Sequence, residues 1–154
     1  MCRRRLTGCC RSACSVVALV LIAGCTGPSV TDPAASDTLV RAVGQASSAT
    51  EVGQLVVDLL QDGRTTTAVA DTTLRDAAAK MWEAQGLLSR EVPAGAEAVR
   101  VRDRAMTAVD DAAGALADAR AWANGSRDPD IEQVEGALSD AADALTDLDA
   151  EVSG

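Results

Sequence analysis

Residues 131–152, "IEQVEGALSDAADALTDLDAEV", decide the fold. Ile131, Val134, Leu138, Ala141, Leu145, Leu148 and Val152 recur at spacings of 3, 4, 3, 4, 3 and 4. Such an a/d seam predicts a helix that buries one narrow stripe against other helices. Its start is marked as well. Asp128 is the expected N-cap and Pro129 suits the first helical position, while Asp130 and Glu132 favour the positive end of the helix dipole.

Three earlier segments share the helical pattern. One at about 34–61 is expected to bury Leu39, Val43, Val52, Leu55, Val56, Leu59 and Leu60. Asp32-Pro33 repeats the cap-plus-proline start there, whereas Gly44, Gly53 and Ser47-Ser48 weaken the middle. The next, at about 66–91, places Ala70, Leu74, Ala77, Met81, Ala84 and Leu88 on one face. The third, at about 94–123, does the same with Val99, Met106, Val109, Ala113 and Leu116. The breaks "QDGR", "REVPAG" and "ANGSRDPD" are short and contain glycine. Helices joined by turns this short must be antiparallel neighbours. The expected fold is therefore all-α, an up-down-up-down bundle of four helices following an N-terminal signal helix. A three-helix bundle or a more extended hairpin, its first helix broken near residues 44–53, is the alternative. Of the two tryptophans, Trp82 is expected to fill the core beside Met81. Trp122, at the end of the third helix, suits either a core edge or an exposed contact.

The N-terminal part has a different character. Residues 1–24 carry Arg3, Arg4, Arg5 and Arg11 and no acid, followed by the apolar run of residues 16–23 and Gly24. A basic start, an apolar run and a small residue form the layout of a secretory signal. The run is shorter than the ~20 apolar residues a membrane-spanning helix needs. These residues by themselves leave open a plain secretory signal, an uncleaved anchor, or a buried structural thiol at Cys25. Ile22, Ala23, Gly24 and Cys25, at the end of the run, resemble the lipobox of bacterial lipoproteins. The resemblance implies cleavage between Gly24 and Cys25 and lipidation of the Cys25 thiol, leaving Cys25 as the acylated N-terminus on the outer face of the cell membrane. The family more often has Leu where Ile22 stands. Cys2, Cys9, Cys10 and Cys14 would leave with the signal, so no pair would remain to form a disulfide. The expected domains are a signal peptide at 1–24, a lipidated cysteine and tether at 25–36, and an acidic helical domain at 37–154.

Charge excludes several functions. Residues 25–154 hold ten Lys or Arg against 23 Asp or Glu, a balance of −13. A body that acidic is expected to bind no nucleic acid, which needs cations against phosphate, and to gain nothing from surface charge at anionic lipid. Lys80 and Asn124 are the only residues of their types, and Phe, Tyr and His are absent. Such avoidance of A/T-rich codons points to a very G+C-rich genome, that of an actinobacterium or one of its phages.

Catalytic chemistry has little to work with. Without histidine there is no imidazole base, no serine or cysteine triad and no histidine metal ligand. No enzyme, cofactor or metal is expected. Asp140, Asp143, Asp147 and Glu151 form an acidic stripe at spacings of 3, 4 and 4. Like charges at i,i+4 repel, and acids at a helix C-terminus oppose the dipole. The stripe therefore suits a solvated face, a weak cation site, or contact with a basic partner, and neighbouring arginines would relieve it. Arg100, Arg102 and Arg104 are expected to pair internally with acids such as Glu97 and Asp103 rather than form a basic patch. Together these features predict a membrane-anchored envelope lipoprotein, non-catalytic, acting through protein contacts with an unidentified envelope protein. Asp140, Asp143, Asp147, Glu151 and Trp122 are its candidate contact residues. Two other functions fit the same features: a carrier holding an apolar ligand between helices, and a phage-derived exclusion lipoprotein.

Overall fold

The computed structural model describes residues 33–153. The signal peptide, the lipobox residues Ile22, Ala23, Gly24 and Cys25, and the tether up to Asp32 lie outside them. The described chain is four helices without a strand: α1 (Pro33–Gln61), α2 (Thr67–Arg90), α3 (Ala96–Ala123) and α4 (Ile131–Ser153). Residues 33–36, expected in the tether, belong to the first turn of α1. None of the described helices is long and apolar enough to cross a membrane.

The turns explain why each helix stops. Gly63 takes a φ of 64° and Gly125 a φ of 92°, left-handed conformations that a side chain would strain. At each, two backbone bonds close a Schellman motif. Arg64 N donates to Leu59 O and Gly63 N to Leu60 O, while Ser126 N donates to Ala121 O and Gly125 N to Trp122 O. Thr66 caps α2 by accepting from Val69 N. The cap of α4 differs from the sequence expectation. Asp130, not Asp128, is the N-cap, accepting at 2.9 Å from Gln133 N while Gln133 Oε1 accepts at 2.9 Å from Asp130 N. That reciprocal capping box satisfies two otherwise orphaned donors at once, and so it outcompetes a start two residues earlier.

Packing is up-down-up-down, with α1 against α2 and α4, and α3 against α2 and α4. The cross-section is a rhombus: α1 and α3 meet along its short diagonal, while α2 and α4 stay apart. Side chains mark the antiparallel register. Gln45 donates to Glu83 at 2.7 Å, Gln61 to Glu135, and Arg104 pairs with Glu151.

The cores of α2 and α4 follow the expected faces. Ala70, Leu74, Ala77, Met81, Ala84 and Leu88 are buried, and so are Val134, Leu138, Ala141, Leu145 and Leu148, with Ile131 and Val152 partly so. In α1 and α3 the expected Leu39, Val43, Val56, Val109 and Leu116 are buried and Leu59 and Leu60 partly so, but the other expected positions give way to small residues. Val52, Leu55 and Val99 are exposed, and Met106 and Ala113 only partly buried. Their places in the core are taken by Ala46, Ala49, Thr50 and Gly53 of α1, and by Ala105, Ala108, Ala112, Ala115 and Ala119 of α3. Where α1 and α3 come closest, a large side chain on one helix leaves room only for a small residue on the other, as Leu116 does opposite Gly53. A Cβ on Gly53 would lie 2.4 Å from Leu116 Cδ2 and 3.3 Å from Leu138 Cδ2.

That contact also explains why α1 is unbroken. Thr50, fully buried, bonds through Oγ1 to Ala46 O at 3.0 Å, and Ser47 Oγ bonds to Val43 O at 3.0 Å. The hydroxyls are satisfied without opening the helix, and tertiary packing outweighs the weak propensity of glycine and serine.

Candidate functional site

Two opposite faces of the bundle differ in chemistry. On the α1–α2 side, a groove of about 610 Å³ has Ala49, Val52 and Ala77 along its floor and Gln45, Lys80 and Glu83 at its rim. The rim is tied across the helices. Lys80 Nζ lies 2.9 Å from Glu83 Oε2, which also accepts from Gln45, and these bonds hold the Glu83 carboxyl below its ordinary range. Val52, Leu55 and Val69 add exposed apolar surface to this helix pair.

The α3–α4 side is acidic. A groove of about 440 Å³ has Asp110, Asp111 and Asp118 on one wall and Asp140 on the other. Gly114, Ala137, Ala141 and Ala144 form its floor. Asp110 accepts from Gln85 at 2.6 Å. Among the described residues, no cation lies within ion-pair distance of Asp111, Asp118, Asp140, Asp143 or Asp147. Nor does any cluster of three or more acidic residues among them have a geometry able to hold a metal ion.

The acidic stripe read from α4 is thus divided. Glu151 is matched by Arg104 from α3, Asp140 joins the groove, and Asp143 and Asp147 are exposed without a partner. Arg100 pairs with Glu97, and Arg102 with Asp103 at 2.7 Å. The sequence reading missed the α3 wall. Asp111, Gly114 and Asp118 stand at spacings of 3 and 4, a legible stripe, but only the register of α3 on α4 brings it opposite Asp140.

The tryptophans split as well. Trp82 is not core: it is 73% exposed. At 3.6 residues per turn it stands about 200° around α2 from Lys80, away from the groove. The inward position beside it is filled by Met81. Trp122 is partly buried against the core edge.

A second feature without a sequence signal is the network on Asp71. Its carboxylate accepts from Arg120 Nε at 2.7 Å and Asn124 Nδ2 at 2.9 Å, and it pairs with Arg75. It joins α2 to the end of α3. Arg120 first, then Asn124, hold the Asp71 carboxyl below its ordinary value. A depressed folded value adds stability above the unfolded value, and that stability disappears as pH falls through the folded one. Asp71→Asn is therefore expected to lower the melting temperature at neutral pH. The gap to the wild type should close as pH drops below the ordinary carboxylate range, as circular dichroism melts across acid pH will show.

Glu91, in the α2–α3 turn, is the counterexample. It is partly buried, one oxygen has no partner, and burial pushes its carboxyl up while Arg102 draws it back.

The fold and faces define an acidic four-helix bundle with a small-residue diagonal. In comparisons with known proteins, no family model, curated protein or solved structure matches the chain.

Proposed function

We propose that this chain is an exported lipoprotein, held on the outer face of the cell membrane by lipid on Cys25, and that its bundle works by protein contact without catalysis. The anchoring half of the reading is supported by Ile22, Ala23, Gly24 and Cys25 after an apolar run. The contact half is carried by one observation, the division of charge. Residues 33–95 hold five cations and eight acids, a balance of −3; residues 96–153 hold five cations and fourteen acids, a balance of −9.

An acidic α3–α4 face with unpaired carboxylates and a small-residue floor suits a cationic protein surface, since complementary charge steers encounter and selects partners. The two grooves described lie on the outside of the bundle, and the spaces between helices are filled by side chains such as Leu74, Met81, Leu116 and Leu145. That favours contact over carriage of an apolar ligand.

Reversing Asp140, Asp143 and Asp147 together to lysine tests it. Cross-linking from the cell surface, read by mass spectrometry, should recover the envelope partner about tenfold less well, a loss of ~1.4 kcal/mol. Glu51→Lys with Asp58→Lys, on the first hairpin, should leave recovery unchanged. Equal recovery from both reversed proteins would overturn the assignment of the contact to α3–α4.

A further inference from the structure

The α2–α3 pair carries a carboxyl group at each end, and the two are held in opposite ways. Where α2 starts and α3 stops, Asp71 accepts from Arg120 Nε at 2.7 Å and Asn124 Nδ2 at 2.9 Å, and pairs with Arg75. The other charges at that end are the Arg64–Asp62 pair of the α1–α2 turn and, in the α3–α4 loop, Arg127 and Asp128. Neither of the latter two is in an ion pair among the described residues.

At the opposite end, where α2 gives way to α3, Glu91 is partly buried, and its Oε2 is closed off from solvent with no donor. Arg102 of α3 attracts it, but that guanidinium is bonded to Asp103 at 2.7 and 3.1 Å. Arg100 is taken by Glu97. Arg90 on α2, and Asp37 and Arg41 toward this end of α1, form no ion pair among the described residues.

Protons act on these ends in opposite directions. Protonating Asp71 gives up charge-assisted bonds that tie α2 to α3. Protonating Glu91 removes a charge that is desolvated and only half satisfied. Burial accordingly pushes the Glu91 carboxyl up, while Arg120 and then Asn124 hold that of Asp71 down. A raised folded value gives stability that is complete below the unfolded value and lost as pH rises through the folded one. For Asp71 the sign is reversed.

We propose that acidification moves the weaker end of the α2–α3 pair from the Glu91 turn to the Asp71 network, a pH-driven shift of local opening within an intact bundle. Asp118, on the wall of the acidic groove, stands two residues from Arg120, so the end that loosens in acid includes part of that wall. What this does to a partner rests on the contact proposed above; the opening itself does not.

The test is amide hydrogen exchange, read by NMR on the mature chain, residues 25–154. Rates are expressed as protection factors, so the intrinsic pH dependence of exchange divides out. From neutral pH to just below the ordinary carboxylate range, protection at residues 86–91 should rise several-fold relative to protection at 119–125. Glu91→Gln should abolish the change at 86–91 and leave the change at 119–125 in place, and Asp71→Asn should do the converse. Parallel changes at both ends, or an end whose pH response survives loss of its own carboxyl, overturn the proposal. Exchange is read on the protein without a partner, so its failure and failure of the proposed contact are distinct results.

Discussion

Gly53→Leu is expected to cost the bundle about 3 kcal/mol or more, because it overpacks a site with no spare volume. The site is the meeting of three helices. A Cβ there would lie 2.4 Å from Leu116 Cδ2, and Leu116 and Leu138, the side chains in the way, are themselves fully buried. Gly53→Ala sets two effects against each other. Alanine gains up to ~1 kcal/mol over glycine in a helix interior, while overpacking costs about 1–3 kcal/mol. The clash should win, with a net loss of about 1 kcal/mol.

Gly44→Ala and Gly136→Ala isolate the propensity term, since nothing lies within 4 Å of a Cβ at either position. Each should raise stability by about 0.5–1 kcal/mol. Urea melts of the three alanine variants measure the difference. A double variant tests the cause: with Leu116→Ala already present, Gly53→Ala should turn neutral or stabilising, a coupling of about 1 kcal/mol or more between the two sites. A Gly53→Ala protein as stable as the Gly44→Ala one would show that the helices do not press together there. Against a total stability of about 5–15 kcal/mol for a domain of this kind, the loss in the leucine variant is a large fraction of the whole.

Gly53 also shows where sequence reasoning reached its limit. Read locally it is a helix breaker, and the local reading suggested a first helix interrupted near it. Its use appears only when α3 and α4 are in place, because what it supplies is the absence of atoms. The same physics hid part of the inner faces of α1 and α3, where Leu39, Val43, Val56, Val109 and Leu116 were legible but the alanines beside them were not. Hydrophobicity ranks Val52, Leu55 and Val99 above alanine, yet the close diagonal demands small volume, and alanines took the core while those three stayed outside. Where helices stand farther apart, on α2 and α4, large residues mark the core, and Leu74, Met81, Leu138 and Leu145 were legible from spacing. Ends were legible because glycine punctuates them. Reading Asp128 as the cap of α4 passed over a legible signal, because Asp130 and Gln133 stand at the three-residue spacing of a capping box and bond reciprocally. Half of the acidic face was legible: the α4 stripe follows from spacing along one helix, but the α3 wall opposite Asp140 requires register between two.

Cys25→Ala is the change expected to move the protein farthest, from the membrane to the soluble phase. On the proposed anchoring, Cys25 carries a diacylglyceryl group and the mature chain has no other foothold of comparable strength. Each buried methylene contributes about 0.8 kcal/mol, and one acyl chain of myristoyl length holds a protein only reversibly, with an association constant near ~10⁴ M⁻¹, whereas two give stable attachment. The acidic body opposes adsorption. Removing the thiol therefore removes nearly all the attachment energy, and the partition between membrane and soluble fractions should shift by more than about 10⁴-fold if the signal is still cleaved. If the signal peptidase requires the lipidated cysteine, the variant should instead accumulate with residues 1–24 retained. Intact mass separates the two, and both differ from the wild type, whose mass should show loss of those residues and gain of acyl chains. A Cys25→Ala protein that is processed and fractionates with the membrane as completely as the wild type would show that attachment runs through the bundle and not through lipid. The charge reversal on α4 would then have to be read as a change in that attachment.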